Sequence, residues 1–296
     1  MAALLLACIG PSSAQEGHHV LVLGRISDDP QAHYDQLKPL LDYVVPRMAD
    51  LGIREGRILM AGDAQQMQSY LKRGRVHWVT ETSGNGMLLK ERARPDPLLI
   101  TERDGVSRYH TIYFTRRDSG IRSIEDLRGR SIAFQNRAST SAYFIPAIEL
   151  LSAGLSMEVL LSPMDRSSST GVGYLFARSE LNLSSWVHKR LVDAGVMSNL
   201  DWDNVQRVPL SFRRDFVVFR ETAPYPRALE VVRGDMDVRV KQRLRELLLA
   251  AHEDPAARDA LASFFRTTRF IAIDDQARRE LDQMGKGVAR VVAEVE

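Results

Sequence analysis

Cysteine is nearly absent from this sequence of 296 residues. Cys8 is the only one, so the chain cannot form an internal disulfide. Long apolar runs are also lacking, because no segment reaches the roughly 18 uninterrupted apolar residues that a membrane-spanning helix needs. Neither charge is in excess, since 40 basic residues stand against 38 acidic ones. Nucleic-acid binding, which calls for a basic stripe, is therefore not predicted.

Sequence signatures of catalysis are missing as well. The chain has no Gly-x-Ser-x-Gly, no His-Glu-x-x-His and no glycine-rich nucleotide loop. Its seven histidines show no metal-ligand spacing with cysteine or acidic residues, the adjacent pair His18 and His19 apart. We therefore predict a binding protein without a cofactor or a metal, and not an enzyme.

The first residues predict export. A short apolar segment over residues 2–9 precedes Gly10 and Pro11, and the small residues Ser12 and Ala14 fit a signal-peptidase site before Gln15. We predict a signal peptide over residues 1–14 and a periplasmic mature protein. The alternative is a lipid anchor on Cys8, which is less favoured because the apolar stretch before it is very short.

Composition and patterning predict an α/β protein of two lobes. At 44% hydrophobic and 26% charged residues the chain is typical of a globular protein, and its length suits two lobes. Strand-like and helix-like segments alternate along it. We predict lobe one over residues 15–112 plus 217–296 and lobe two over 113–216, joined by crossover strands near 109–114 and 216–219. Within this scheme we predict a helix over 172–177, strands over 181–183 and 205–210, and only helices beyond about residue 226.

Three consecutive hydroxyl residues, Ser139, Thr140 and Ser141, follow the apolar strand pattern at 132–134 and precede an apolar helix pattern. A helix start has unpaired N–H groups and a partial positive charge, so added hydroxyls make a site for an anion's oxygens. Ordinary N-capping is the alternative. Polar loops at 80–85, 135–141 and 167–170 each follow a predicted strand. We expect them to converge at the crevice where ligands bind in such folds.

The segment Ser-Ile-x-Asp-Leu-x-Gly-Arg-x-Ile-Ala-Phe at 123–134, followed by the hydroxyl triplet and Pro146, resembles the phosphate, phosphite and phosphonate substrate-binding proteins of ABC transporters. Similar stretches occur at 37–43, 71–76, 90–93 and 215–220. The resemblance implies a type II periplasmic-binding-protein fold: two α/β domains joined by two crossover strands, with C-terminal helices. It also implies that the hydroxyl triplet holds the oxyanion of the ligand.

The chain departs from the family pattern at three places. Residues 80–83 replace a Trp-x-Gly-Pro loop, Asn182 replaces an acidic residue, and serines at 167–169 replace a Ser-His-acid segment. Glu81 would repel a dianion unless it is paired or protonated, so it is a candidate partner for a cationic part of the ligand or for a nearby arginine. The candidate ligand-binding residues are Ser139, Thr140, Ser141, Glu81, Thr82, Ser83, Ser168, Ser169 and Asn182.

The expected function is capture of a small anionic or zwitterionic ligand between two hinged lobes, for delivery to the membrane permease of an ABC importer. The alternative is a ligand-sensing subunit for a separate membrane kinase or cyclase. We expect a monomer. The arginine pairs at 116–117 and 213–214 lie near the predicted crossovers; we favour solvated surface for them over an oxyanion clamp.

Overall fold

A computed structural model describes residues 19–295. The predicted signal peptide and Cys8 lie outside these residues. Among the described residues, no helix is long and apolar enough to cross a membrane.

The first lobe is built on a six-stranded sheet with the order β14-β4-β13-β3-β1-β2. Strands β1, β2 and β3 are parallel, whereas β13 runs antiparallel to both of its neighbours. The strands are β1 (Val20–Ile26), β2 (Glu55–Ala61), β3 (Trp78–Thr82), β4 (Asp96–Arg103), β13 (Ala228–Val232) and β14 (Thr267–Ala272).

The second lobe repeats this plan with a sheet of order β11-β6-β10-β7-β9-β8. Strands β7, β8, β9 and β10 are parallel, and β6 runs antiparallel to β10 and β11. The strands are β6 (Thr111–Arg116), β7 (Ser131–Phe134), β8 (Ser156–Val159), β9 (Gly171–Phe176), β10 (Ala194–Ser198) and β11 (Phe216–Glu221).

Ten α-helices cover these sheets: α1 (Pro30–Val44), α2 (Ala64–Lys72), α3 (Ser83–Ala93), α4 (Ile145–Ser152), α5 (Glu180–His188), α6 (Asn199–Trp202), α7 (Leu210–Arg213), α8 (Val238–Ala250), α9 (Arg258–Ser263) and α10 (Asp275–Glu294). This number refers to residues 19–295. Short 3₁₀ turns occupy Val45–Leu51, Glu125–Leu127, Ala251–Glu253 and Pro255–Ala257, and a π-helical turn occupies Thr140–Phe144.

The chain passes between the lobes twice, through two short paired strands, β5 (Arg108–Tyr109) and β12 (Tyr225–Pro226). The first crossover overlaps the start of the predicted segment 109–114, whereas the second lies at 225–226 and not at 216–219, which belong to β11 of the second sheet. The predicted boundaries at 112/113 and 216/217, however, fall inside β6 and β11, which both belong to the second sheet.

Helix α10 spans both lobes. Gly285 faces Met87 of α3, and Gly287 faces Ile148 of α4, where an added Cβ would lie 2.6 Å from the isoleucine Cδ1 atom. Two glycines inside a helix cost about 1 kcal/mol each relative to alanine. They are explained here by the close approach of one helix to both lobes, whose buried apolar residues join in a shared cluster.

Four secondary-structure predictions are wrong. Residues 172–177 lie largely in strand β9, residues 181–183 lie in helix α5, and residues 205–209 are irregular before α7 begins at Leu210. The region after residue 226 contains β13 and β14 as well as helices. The segment 171–176 is an uninterrupted apolar run, and such a run does not distinguish a buried strand from a buried helix by its periodicity.

Candidate functional site

A cavity of about 980 Å³ lies between the lobes, at the carboxyl ends of the parallel strands of both sheets. This is the edge at which ligands of open α/β sheets bind. From lobe one and the crossovers it is lined by Arg25, Ser27, Asp28, His33, Asp63, Glu81, Thr82, Asn85, Arg92, Arg103, Tyr109 and Arg227. From lobe two it is lined by Gln135, Arg137, Ser139, Thr140, Ser141, Phe144, Phe176, Arg178, Ser198 and Asp201.

The hydroxyl triplet is at the wall of this cleft, as the sequence predicts for it. Ser139 caps the following turn, because its Oγ accepts a hydrogen bond from the backbone N–H of Ala142 at 3.1 Å. Burial raises the pKa of Tyr109 to about 12. Side-chain hydrogen bonds with Ser141 and Thr140 partly offset this rise. The role of the triplet in holding a ligand stays a prediction.

Thr140 joins the two lobes directly. Its Oγ1 accepts a hydrogen bond from the backbone N–H of Gly84 at 2.9 Å and donates one to Thr82 Oγ1 at 3.0 Å. An added Cβ at Gly84 would lie 2.7 Å from Thr140 Oγ1 and 2.9 Å from a ring carbon of Phe144. Glycine is therefore required here for the close approach of helix α3 to the hydroxyl turn of the opposite lobe.

Glu81 and Thr82 line the cleft, whereas Ser83 does not. The Glu81 carboxylate is buried and accepts hydrogen bonds from the backbone N–H of Ile26 at 2.7 Å and from Asn85 Nδ2 at 3.1 Å. Ser83 is fully buried beneath this wall, and its Oγ has no hydrogen-bond partner in the described part of the chain. The sequence-based interpretation of Ser83 as a residue facing the cleft is therefore wrong.

Ser168, Ser169 and Asn182 lie outside the cleft lining, which corrects their prediction as ligand contacts. The two serines precede strand β9 and so lie at its amino end, the sheet edge opposite the cleft. There the backbone N–H of Ser168 donates to Glu158 Oε2 at 2.8 Å. Asn182 lies in α5, and its Nδ2 donates to the carbonyl oxygen of Ala177 at 3.0 Å.

Arginines dominate the charge of the cleft, and the sequence interpretation missed them. Six line it: Arg25, Arg92, Arg103, Arg137, Arg178 and Arg227. Within residues 19–295, none of the six forms an ion pair with a carboxylate. The arginines considered from sequence behave differently: Arg116 pairs with Asp118 and Asp215, and Arg213 pairs with Asp203, so these are structural pairs outside the cleft.

Arg103 is the most deeply buried of the six. It is 8% exposed, and its Nε and Nη2 atoms find no hydrogen-bond partner among the residues that the structure describes. Burial, with a contribution from nearby Arg25, lowers the pKa of Arg103 to about 10. The guanidinium nevertheless stays charged at neutral pH. Burial, Arg25 and Arg103 lower the pKa of His33, whose Nδ1 lies 2.6 Å from Ser27 Oγ.

A positional signal could have found three of these arginines. Arg25 lies near the carboxyl end of β1, Arg103 ends β4, and Arg178 follows β9 by two residues. Each therefore comes at the end of an apolar strand pattern that feeds the crevice. Arg227 comes directly before β13, which is antiparallel, so it reaches the same edge from the other direction.

The sequence matches the family of ABC transporter, phosphonate, periplasmic substrate-binding proteins over residues 24–277. This chain belongs to that family. The resemblance seen in the sequence and the two-lobed type II periplasmic-binding fold are thereby confirmed.

Solved structures of related proteins agree with this assignment. XAC2383 from Xanthomonas citri bound to chloride ion is 54% identical, with a TM-score of 0.88 and coverage of 93% of this chain and 99% of that chain. The same protein bound to ATP is 53% identical, with a TM-score of 0.88 and coverage of 94% and 99%. PhnD1 from Prochlorococcus marinus in complex with methylphosphonate, at 15% identity, coverage of 92% and 98% and a TM-score of 0.63, shares the fold.

Proposed function

We propose that this family member is an exported solute-binding protein that closes its two lobes on an anion bearing phosphate or phosphonate groups. The observation that carries the proposal is the cleft lined by six arginines, none of which has a carboxylate partner within residues 19–295. Guanidinium groups bind phosphate oxygens through paired hydrogen bonds, and they do so most strongly where water is excluded. A bound anion would neutralise guanidinium charges that the described residues leave without an ion pair.

The ligands seen in a related protein support the proposal that the ligand is an anion. XAC2383, at 53–54% identity, has been solved with chloride and with ATP, and both are anions. The cavity of about 980 Å³ is at the upper end of the range for small-molecule sites and is larger than a single phosphonate group requires. We therefore place ligands up to the size of a nucleotide within the proposal.

Five of the candidate residues keep a place in it. Ser139, Ser141 and Thr82 offer hydroxyl groups at the cleft wall, and Thr140 supports Thr82 by donating a hydrogen bond to its Oγ1. Glu81 lies in range to interact electrostatically with Arg103, so its charge moderates the arginines beside it. The liganded, closed protein would then dock to the permease of an ABC importer.

Calorimetric titration with chloride, phosphate, methylphosphonate and ATP tests ligand binding. Thermal unfolding with and without each ligand provides a second measurement. A ligand at 100 times its dissociation constant adds about 2.7 kcal/mol to the free energy of unfolding. We expect at least one phosphorus-containing anion to bind with micromolar or better affinity. If none of them binds, the proposal is wrong.

The transport role needs a separate measurement. An importer reconstituted in lipid vesicles should hydrolyse ATP faster when the liganded protein is supplied at its outer face. Failure to stimulate the importer, together with ligand-dependent binding to a membrane kinase or cyclase, would assign sensing instead of transport.

A further inference from the structure

Three of the cleft arginines gather on the wall of lobe one. Arg25 comes from β1, Arg103 from the end of β4 and Arg227 from the residue before β13. The Nη1 of Arg227 donates to the backbone carbonyl oxygen of Arg103 at 2.9 Å, which ties two of the three together. We call these three side chains the arginine cluster.

The cluster holds unused hydrogen-bond donors. Arg103 is more than nine-tenths buried, and within residues 19–295 neither its Nε and Nη2 atoms nor the Nε of Arg25 has a hydrogen-bond partner. The one hydrogen bond from the Arg25 side chain is a long one, from Nη1 to the carbonyl oxygen of Thr80 at 3.4 Å. Buried donors without partners are costly, and the guanidinium groups to which they belong line the cleft, so an anion bound in the cleft would offset part of that cost.

An aromatic ring supports two of the guanidinium groups without neutralising them. The Cζ atoms of Arg25 and Arg103 lie 4.3 and 4.5 Å from the centroid of the Phe265 ring. Phe265 and Arg266 both have positive φ angles, 53° and 55°. Such angles are costly for residues with large side chains and occur where the surroundings enforce them. The strained backbone at Phe265 and Arg266 thus occurs where the Phe265 ring is held against the guanidinium groups of Arg25 and Arg103.

The two carboxylates that act electrostatically on Arg103, Glu81 and Glu230, accept hydrogen bonds from other donors. Glu81 accepts hydrogen bonds from Ile26 and Asn85, as described above. Glu230 is fully buried and accepts from Trp78 Nε1 at 2.6 Å, Thr80 Oγ1 at 2.9 Å and Thr101 Oγ1 at 2.6 Å. Both carboxylates lie close enough to reduce the electrostatic cost of Arg103, but neither pairs with the cluster.

From this arrangement we infer that the arginine cluster is an anion subsite of lobe one, separate from the hydroxyl turn of lobe two. A ligand that engages both walls carries two or more anionic groups, as inorganic polyphosphates and nucleoside di- and triphosphates do. In this proposal a single phosphonate group occupies one subsite, and only a ligand with further anionic groups occupies both. This inference rests on the proposed function and narrows its ligand class to polyanions.

Titration calorimetry with orthophosphate, pyrophosphate and tripolyphosphate at constant pH and ionic strength tests the inference. We expect tripolyphosphate to bind wild-type protein about 100-fold more tightly than orthophosphate, because it adds charge-assisted hydrogen bonds to buried donors. In Arg103→Gln this preference should fall below about 10-fold, since one guanidinium of the cluster is gone. Arg128→Gln is the matched control, because Arg128 is exposed on lobe two and its side chain donates to the carbonyl oxygen of Thr170.

The outcomes separate the two proposals. Equal affinity for orthophosphate and tripolyphosphate, or a preference unchanged in a folded Arg103→Gln protein, would overturn the polyanion inference while leaving anion capture intact. If Arg103→Gln fails to fold, Arg227→Gln provides the same comparison. Absence of binding by every phosphate compound would overturn both.

Discussion

Replacement of Arg103 by methionine should stabilise the ligand-free protein while it weakens ligand binding. Burial lowers the pKa of Arg103 to about 10. At 1.36 kcal/mol per pKa unit, keeping this guanidinium charged costs the folded state about 3 kcal/mol. Methionine keeps most of the apolar stem but loses the contact with the Phe265 ring, worth about 1–2 kcal/mol. The expected net gain in the free energy of unfolding is therefore about 1–2 kcal/mol.

Urea and thermal unfolding of ligand-free protein, followed by circular dichroism, measure this gain. It corresponds to a rise in midpoint temperature of roughly 2–8 °C. Arg269→Met is a suitable control on the neighbouring strand. Arg269 pairs with Glu102, Nε to Oε1 at 3.0 Å, and Glu102 is 7% exposed. Removing Arg269 leaves that buried carboxylate without its cation, and should lower the free energy of unfolding by about 1–3 kcal/mol.

The two substitutions are thus expected to change the free energy of unfolding in opposite directions: Arg103→Met should raise it and Arg269→Met should lower it. If Arg103→Met destabilises the ligand-free protein as Arg269→Met does, Arg103 is a structural residue with a partner, and the argument for an unneutralised cluster fails. Ligand titration completes the comparison, because Arg269→Met should keep wild-type affinity for tripolyphosphate and Arg103→Met should lose it.

Three further predictions concern the frame around the cleft. Glu230→Leu should lower the free energy of unfolding, measured in urea, by about 2–4 kcal/mol, because three buried donors lose their acceptor. Glu230→Gln should lower it clearly less, since the amide oxygen still accepts hydrogen bonds. Equal losses in the two variants would contradict the role of Glu230 as acceptor. Gly84→Ala should weaken anion affinity about 10-fold by separating the lobes, and it should enlarge the radius of gyration in X-ray scattering. Adding Thr140→Ala should bring the radius of gyration, but not the affinity, back toward the wild-type value; unchanged scattering in Gly84→Ala would refute the close contact. Burial lowers the pKa of His77 to about 4, so its ring signals in NMR should not titrate above pH 5.5. Because the unfolded chain takes up this proton below about pH 6.5 and the folded chain only near pH 4, stability should fall as pH drops through that window, and less so in His77→Gln.

Local patterns in the sequence sufficed for several features. The alternation of strands and helices predicts the two α/β lobes, and the hydroxyl triplet after a short strand predicts a polar turn at the crevice. Such features depend on residues a few positions apart. Ser139 illustrates this, because its capping hydrogen bond reaches only to Ala142.

Other features were decided by contacts between distant segments. Glu230 interrupts the apolar pattern of β13, so the segment does not have the sequence pattern of a buried strand. It is buried all the same, because Thr80 of β3 and Thr101 of β4 donate to it across the sheet. Ser168 and Ser169 were misplaced for a related reason: the apolar run after them fits a helix as well as a strand, and a strand sends them to the opposite sheet edge.

The arginine cluster is the strongest case of a feature that only the tertiary structure decides. Arg25 and Arg103 lie in strands of one sheet and Arg227 directly precedes a third strand of it, and 124 positions along the chain separate Arg103 from Arg227. A sequence shows that arginines are present, but whether each one finds a carboxylate depends on which segments the fold brings beside it. The sequence alone thus predicts export, two α/β lobes and a polar crevice. Whether the cleft arginines are left without carboxylate partners depends instead on long-range packing.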